Sequence, residues 1–368
     1  MKRVALLAPR GSVLTTGPQG GSSVVLLEDR RLLEEAGWQV QVFAQDARNG
    51  MLVHKLPIRP LLPRLSSFAY CGRFVKESPA SVLLAYNEPT VAMFAPSRSI
   101  IRFDWLTPLP RYWQVGWALR RFKRATYLFP SDASRRLWWG QHSHIPIAKT
   151  RVIPNGVDLQ LFHPIRSERN GRRVGFAGQW ISEKGLDVLI AAWSEVQRQV
   201  PNAELWLAGG PDLWQRIDPI PDDKMGVVKE VEARRSPSLR VVGVIPRDQM
   251  PAFWSRVDLA CVPSVSDESF GLVALEAMAC GIAVVVSDAG ALPEVVGDAG
   301  VVVPRSDEKA LAAVIASLLR SPTRLVELGE RARRRASTFD LQKRAFELLS
   351  LIEQVADGAR DGPDEAAG

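Results

Sequence analysis

Short apolar runs alternate along the chain with longer stretches of helical spacing. VALLAP (Val4 to Pro9) is the first such run. Ser22 to Gly37 then follows a helical period and ends on glycine, and WQVQVFAQ (Trp38 to Gln45) reads as a second strand. SVLLAYN (Ser81 to Asn87), SIIRFD (Ser99 to Asp104) and TYLFPS (Thr126 to Ser131) continue the series, while the proline-rich stretch from Met51 to Arg64 is expected to be irregular. After RVIPNGVD the pattern restarts with RVGFAG, AELWLAGG, LRVVGVI, DLACVPS, IAVVVSD and a short AGVVVP. Runs this continuously apolar fit strands buried on both faces. Strands alternating with helices predict parallel sheets flanked by helices. A helix and a loop are expected in Pro211 to Pro237, and two or three helices after Pro304, the last from Lys343 to Ala356.

A chain of 368 residues exceeds what one core serves, so two domains of roughly 150 to 200 residues are expected. The boundary falls near residue 160, giving domains 1–160 and 161–340, with IRSERNGRR (Ile165 to Arg173) as linker. A final helix over 341–357 and a polar, disordered tail over 358–368 complete the chain. With 46% hydrophobic and 24% charged residues, disorder as the dominant state is excluded. No run of about 18 uncharged apolar residues is present to span a bilayer. MKR followed directly by VALLAP reads as a first buried strand, too short for a signal peptide. Cys71, Cys261 and Cys280 share no ligand spacing, so neither a disulfide framework nor a metal site is expected, and a reducing cytoplasm is the simplest location.

The net charge of +7 is concentrated: from Arg64 to Lys149 there are thirteen Lys or Arg against four Asp or Glu. Within that stretch, Pro110 to Tyr127 mixes Trp113, Trp117 and Leu119 with Arg120, Arg121, Lys123 and Arg124. Such a helix suits an anionic membrane surface, with aromatic rings at headgroup level. A solvated basic face over inward-packed aromatics is the alternative. Nucleic acid is not expected as a partner, because no nucleic-acid-binding motif accompanies the patch.

Chemistry is densest in SDESFGLVALEAMACGIAVVVSDAGALPEVVGDAGVVVP (Ser266 to Pro304). A loop ending at Gly271 and opening a helix presents the backbone N–H groups of Phe270, Gly271 and Leu272 and the positive end of a helix dipole, which suits a phosphate or diphosphate. Glu268 before it and Glu276 after it are placed to hold hydroxyls on either side of that anion. Sugar, diphosphate and ribose in line describe a nucleotide sugar. Glu276, able to accept hydrogen bonds from the 2′ and 3′ hydroxyls, is the candidate ribose ligand. As a plain structural group, Glu276 is a favourable charge near a helix N-terminus, and Glu268 a solvated loop carboxylate.

This segment resembles the E-x7-E signature of retaining glycosyltransferases of family 4. RVIPNGVDLQLFHP (Arg151 to Pro164), VGFAGQWISEKGLDVLIAAW (Val174 to Trp193), NAELWLAGGP (Asn202 to Pro211) and LRVVGVIPRDQMPAFWSRVDLACVPS (Leu239 to Ser264) follow in that family's order. The likeness is dense from Arg151 to Arg305 and thinner before, where Gly20-Gly21-Ser22 resembles the opening unit. It implies the α/β GT-B fold: two doubly wound Rossmann-like domains facing across a cleft, the first on the acceptor side and the second binding the nucleotide sugar, with the last helix crossing back to the first. It implies metal-independent hexosyl transfer with retention from a UDP- or GDP-linked sugar to a hydroxyl of a glycan or lipid-linked acceptor. Cell-surface polysaccharide or glycoconjugate biosynthesis, at the inner face of a membrane, is the expected setting.

The resemblance also assigns roles. Lys184 pairs with the donor diphosphate, Glu268 contacts the transferred sugar, Val244 and Ile245 seat the base, and Gly20 and Gly21 line the loop near phosphate and acceptor. Ser182 reads in addition as the cap of a helix starting near Glu183. Two departures stand out. Gln179 occupies the position where the family usually carries a diphosphate-directed arginine; a neutral amide there forgoes a charge-assisted contact of about 1.5–3 kcal/mol, and Arg172 and Arg173 precede the strand. Phe103 stands before Asp104 where the family often has a sugar-contacting histidine; Asp104, Asn87 and Glu88 are the polar residues left near it. A non-catalytic GT-B protein acting as a binding or coat-associated component is the alternative these departures raise.

Overall fold

The computed structural model describes residues 2–15, 20–48, 51, 53–56, 63–105, 116–165, 171–211, 226–233 and 236–360. They form two compact units. One runs from the N-terminus to Pro154 and resumes at Gln342; the other lies between Asn155 and Leu341.

The first unit holds a parallel sheet of β1 (Arg3–Leu7), β2 (Gln39–Ala44), β3 (His54–Lys55), β4 (Val82–Tyr86), β5 (Ser99–Arg102), β6 (Thr126–Phe129) and β7 (Thr150–Val152). Their order is β3-β2-β1-β4-β5-β6-β7. β1 pairs in parallel with β2 on one side and β4 on the other, so the winding direction reverses there. The helix Gly21–Glu35 follows β1, and Asp132–Gln141 follows β6. Aromatic packing fills one face: the Phe103 ring lies 5.4 Å from Phe129 and 5.1 Å from Trp138.

The second unit repeats the topology with β8 (Arg173–Gln179), β9 (Glu204–Gly210), β10 (Leu239–Gly243), β11 (Leu259–Val262), β12 (Ala283–Ser287) and β13 (Val301–Val303). Their order is β10-β9-β8-β11-β12-β13, again parallel throughout. Leu189, Trp193 and Ile315 pack on one face of this sheet. Trp254, Leu275 and Met278 pack on the other. In sheets wound this way, ligands bind beyond the carboxyl ends of the strands where the direction reverses, here between β8 and β11.

Several expectations need correcting. LRVVGVI does not form a strand buried on both faces: β10 is an edge strand, and Val241 and Val242 are exposed. Ser182 caps no helix; Ser182–Lys184 is a single 3-10 turn without a side-chain cap, and the helix Leu186–Gln199 starts after Gly185. Within Met51 to Arg64, His54–Lys55 pairs with the edge of β2 and a helix begins at Pro63, where proline's missing N–H costs nothing, while 52 and 57–62 lie outside the described residues. The last helix runs Leu341–Arg360, taking three residues assigned to the tail; the glycine at 358 falls in a terminal turn, where it disrupts little. Of Pro211 to Pro237, Gly226–Ala233 is helical and 212–225 lies outside the described residues. Of Pro110 to Tyr127, Gly116–Phe122 is helical, while 106–115, Trp113 included, lies outside them, as do 166–170 of the linker and 361–368 of the tail. No described helix is long and apolar enough to cross a membrane.

The helix Leu341–Arg360 belongs to the first unit from Gln342 onward and is fastened by charge inside the core. Arg344, 3% exposed, forms an ion pair with Asp29 of the helix Gly21–Glu35, itself fully buried. Tyr86 at the end of β4 donates its hydroxyl to Asp29 Oδ2 at 2.6 Å. Arg102 and Asp104 form a second buried pair at 2.8 Å.

Candidate functional site

The residues of interest in the second unit all leave the carboxyl ends of its strands. Lys184 follows β8; Ser264, Glu268 and Gly271 follow β11; Val244, Ile245 and Arg247 follow β10; Gly290 follows β12. Lys184 and Glu268 therefore flank the reversal point between β8 and β11. Lys184 Nζ donates to Glu268 Oε1 at 2.7 Å, and Ser264 Oγ donates to the same oxygen at 2.6 Å. Burial pushes the Glu268 carboxyl up, but the Lys184 ammonium and its hydrogen bond, with the Ser264 hydroxyl, outweigh it and hold the group below its ordinary range. Glu268 is thus an ionised, oriented carboxylate and not the solvated loop group that its place in the sequence also allowed.

The backbone beneath Glu268 is fixed from the side of β12. Ala291 N donates to Glu268 O at 2.8 Å. Gly290 adopts φ +57°, and a Cβ there would lie 2.3 Å from Glu268 O and 2.7 Å from Glu268 N. Only glycine allows this approach, so Gly290 sets where the Glu268 peptide sits.

Three residues after Glu268 the chain turns through Gly271 at φ +105° into the helix Leu272–Ala279. No side chain caps this N-terminus. Its first-turn N–H groups have no acceptor within the helix, and the dipole adds positive potential, the combination that suits a phosphate. Of the three residues expected to offer N–H groups, Gly271 is the cap and Leu272 the first helical residue. Phe270 buries its side chain 5.6 Å from the Phe339 ring and anchors the turn.

Glu276 lies in the second turn of that helix. Ala274, Leu275, Ala277, Met278 and Ala279 around it are all buried. A carboxylate in such an apolar helix is costly unless paired. One partner is Arg247, whose Nε donates to Glu276 Oε1 at 3.0 Å. The Arg247 guanidinium also stands 5.2 Å from the centroid of the buried Phe162 ring. Nothing in the spacing of the sequence pointed to Arg247, Ser264 or Gly290. A basic residue soon after Val244-Ile245 was the available signal for the first.

Gln179 ends β8 almost fully buried, and its Nε2 donates to the Pro211 carbonyl at 3.2 Å. That amide is committed to its own backbone, so the missing arginine is not replaced in kind at this position. Arg173, at the opposite end of β8, stacks over Trp206 at 5.0 Å and pairs with Glu204. It belongs to the amino-terminal end of the sheet, away from the loops just described. Val244 is exposed and Ile245 half-buried beyond β10.

In the first unit Gly20 is the extended cap residue and Gly21 the first residue of the helix Gly21–Glu35. Phe103 is a core aromatic, and Asp104 is engaged by Arg102, so neither stands in for a sugar-contacting histidine. Asn87 has φ +57° and accepts hydrogen bonds at Oδ1 from the N–H groups of Asp104 (3.0 Å) and Trp105 (3.2 Å). Glu88 is buried, accepts from Arg10 N at 2.8 Å, and has its carboxyl raised by burial against those contacts.

The family described as "Glycosyl transferases group 1" matches residues 171–321. The D-inositol 3-phosphate glycosyltransferase of Segniliparus rotundus is 33% identical over 59% of this chain and 50% of that protein. The D-inositol 3-phosphate glycosyltransferase 1 of Catenulispora acidiphila is 31% identical over 94% of each chain. Among solved structures, the sucrose-phosphate synthase of Thermosynechococcus elongatus has a TM-score of 0.77 at 23% identity, covering 96% of this chain and 99% of that one. The likeness and the two doubly wound parallel sheets give this chain the GT-B fold of two Rossmann-like domains. With likeness over nearly the whole length of a relative, the chain belongs to the group 1 glycosyl transferases and moves sugars in glycoconjugate biosynthesis.

Proposed function

We propose that the protein is a retaining, metal-independent hexosyltransferase that takes a UDP- or GDP-linked sugar and transfers it to a hydroxyl of a glycan or lipid-linked acceptor. The observation that carries this reading is the Lys184–Glu268 pair at 2.7 Å beside the helix N-terminus at Gly271. A diphosphate seated there meets a cation and the backbone amides of Phe270, Gly271 and Leu272, which take over the charge stabilisation a metal would supply. Glu268 holds the hydroxyls of the transferred sugar, Glu276 holds the ribose, and Val244 and Ile245 hold the base. The sugar–phosphate bond breaks, the acceptor oxygen bonds the anomeric carbon on the same face, and the acceptor proton leaves with the diphosphate. Glu268 and Glu276 lie along the donor in this reading, not on opposite sides of the scissile bond as in glycosidases. Gly21 and its loop belong to the acceptor side, in the first unit.

The test is a thermal-shift screen of the full chain against UDP, GDP, ADP and dTDP, with Glu276→Ala as control. At 100 times its Kd the matching nucleotide adds about 2.7 kcal/mol to stability. The shift is expected for a single base and is lost in the control. No shift with any nucleotide sinks the donor assignment. Once the donor is known, the anomeric configuration of the product by NMR decides retention, and turnover in excess chelator decides the metal question.

The basic segment 110–127 suits peripheral contact with an anionic membrane, which would bring the enzyme to a lipid-linked acceptor at the inner face. Co-sedimentation with phosphatidylserine vesicles at low salt, lost with zwitterionic vesicles, is the expected result. Equal recovery with both kinds of vesicle would remove this part of the reading.

A further inference from the structure

We infer that Arg247 is a positioning residue for Glu276, and that the pair makes the site selective for nucleoside diphosphates whose ribose keeps both its 2′ and its 3′ hydroxyl. The inference rests on the donor reading above and adds to it the form of sugar the nucleotide must carry. Three observations support it. Glu276 stands in a helix whose neighbouring side chains are apolar and buried, where an unpaired carboxylate would neutralise itself or turn away. Arg247 Nε meets Oε1 at 3.0 Å, a charge-assisted contact that fixes the rotation of the carboxyl group. The guanidinium in turn is backed by the Phe162 ring, so the arginine is itself held in place.

The second link is one of chain path. Arg247 follows Val244 and Ile245 on the same short segment after β10 and reaches across to the helix Leu272–Ala279. It ties the base side of the donor site to the ribose side. A nucleoside laid from Val244 toward Glu276 passes this arginine. An ionised carboxylate has room for about four hydrogen bonds. Each carboxylate oxygen can accept more than one hydrogen bond, so the contact with Nε does not bar the carboxylate from accepting ribose hydroxyl protons. A 2′-deoxy nucleotide offers one of the two and leaves a buried, charged acceptor underused, a loss of about tenfold or more in affinity. Gln179, bonded to Pro211, takes no part in this.

Calorimetric titration of the full chain with UDP, GDP and ADP, each beside its 2′-deoxy form, tests the idea. For whichever base binds, the wild type is expected to favour the ribo form by about tenfold or more. In Arg247→Met that ratio should fall toward one, chiefly through weaker binding of the ribo form, and Arg247→Lys should restore part of it. Circular dichroism and the melting temperature check that the variants fold. Should Arg247→Met fail to fold, Arg247→Gln supplies the same comparison. A variant that weakens both forms equally and keeps the ratio overturns the inference and gives Arg247 to the phosphates or the base. A wild type without ribo preference overturns it too. Binding of no nucleotide at all sinks the donor reading itself, which sets that failure apart from the other two.

Discussion

Lys184→Ala is expected to lower kcat/KM for sugar transfer by about 10²–10³-fold, the usual effect of deleting one preorganised group at a developing charge. Two losses combine in this variant. The leaving diphosphate loses its cation, and Glu268 loses the partner that offsets its burial. Lys184→Arg, which keeps a charge at a different reach, should recover part of the rate, whereas Glu268→Gln should lose activity with Lys184 intact. Steady-state rates on the donor found by the nucleotide screen measure this, and a Lys184→Ala rate within threefold of wild type would remove Lys184 from the chemistry. The same pair predicts a pH effect. The folded-state carboxyl of Glu268 lies below its ordinary 4.5, so the pair's contribution to stability is complete above that value and is lost as pH falls through the lower, folded one. In Lys184→Ala burial acts with only the Ser264 hydroxyl against it. The carboxyl moves up, so the variant is less stable near neutral pH and the stability that this group loses on acidification should shrink, reversing if the carboxyl rises above its ordinary value.

What could be read from the sequence follows a physical division. Strands of the two sheets were visible because residues buried on both faces must be continuously apolar, and VGFAG or VALLA leave few other choices. The turn at Gly271 and the glutamates on either side of it could be read because they sit within one short segment. Edge position was not visible: LRVVGVI has the same apolar letters as its neighbours, yet among the described residues β10 has a partner strand on one side only, and it exposes Val241 and Val242. Groups that act through another residue were missed for a related reason. Ser264 steadies Glu268, Gly290 locates its peptide and Arg247 holds Glu276, but each comes from a separate loop or a residue type with many other uses. Gln179 was legible as a departure. Its consequence was not, because only the folded chain shows its amide bonded to Pro211.

The second large effect lies far in sequence from the donor residues. Arg344→Met is expected to destabilise the first unit by about 3–5 kcal/mol, because it leaves the buried Asp29 carboxylate without its directly paired cation and with Arg102 acting on it only through space. Tyr86 continues to donate to Asp29 at 2.6 Å, but one hydroxyl does not replace an ion pair. In a unit of this size each kcal/mol moves the melting temperature by about 2–4 °C, so a drop of roughly 6–20 °C is expected. A chain of two units need not unfold in one step, and calorimetry should find the low-temperature shift in one transition while the second unit keeps its own. Adding Asp29→Asn to the variant should restore part of the loss, since the neutral amide still accepts from Tyr86 and no charge is left stranded. That recovery separates a buried pair from simple loss of packing, which would make the double variant worse than either single one. Strictly additive losses in the cycle, or a shift of under about 2 °C for Arg344→Met, would show that Asp29 finds other compensation and that the last helix is held in the first unit by its apolar face alone.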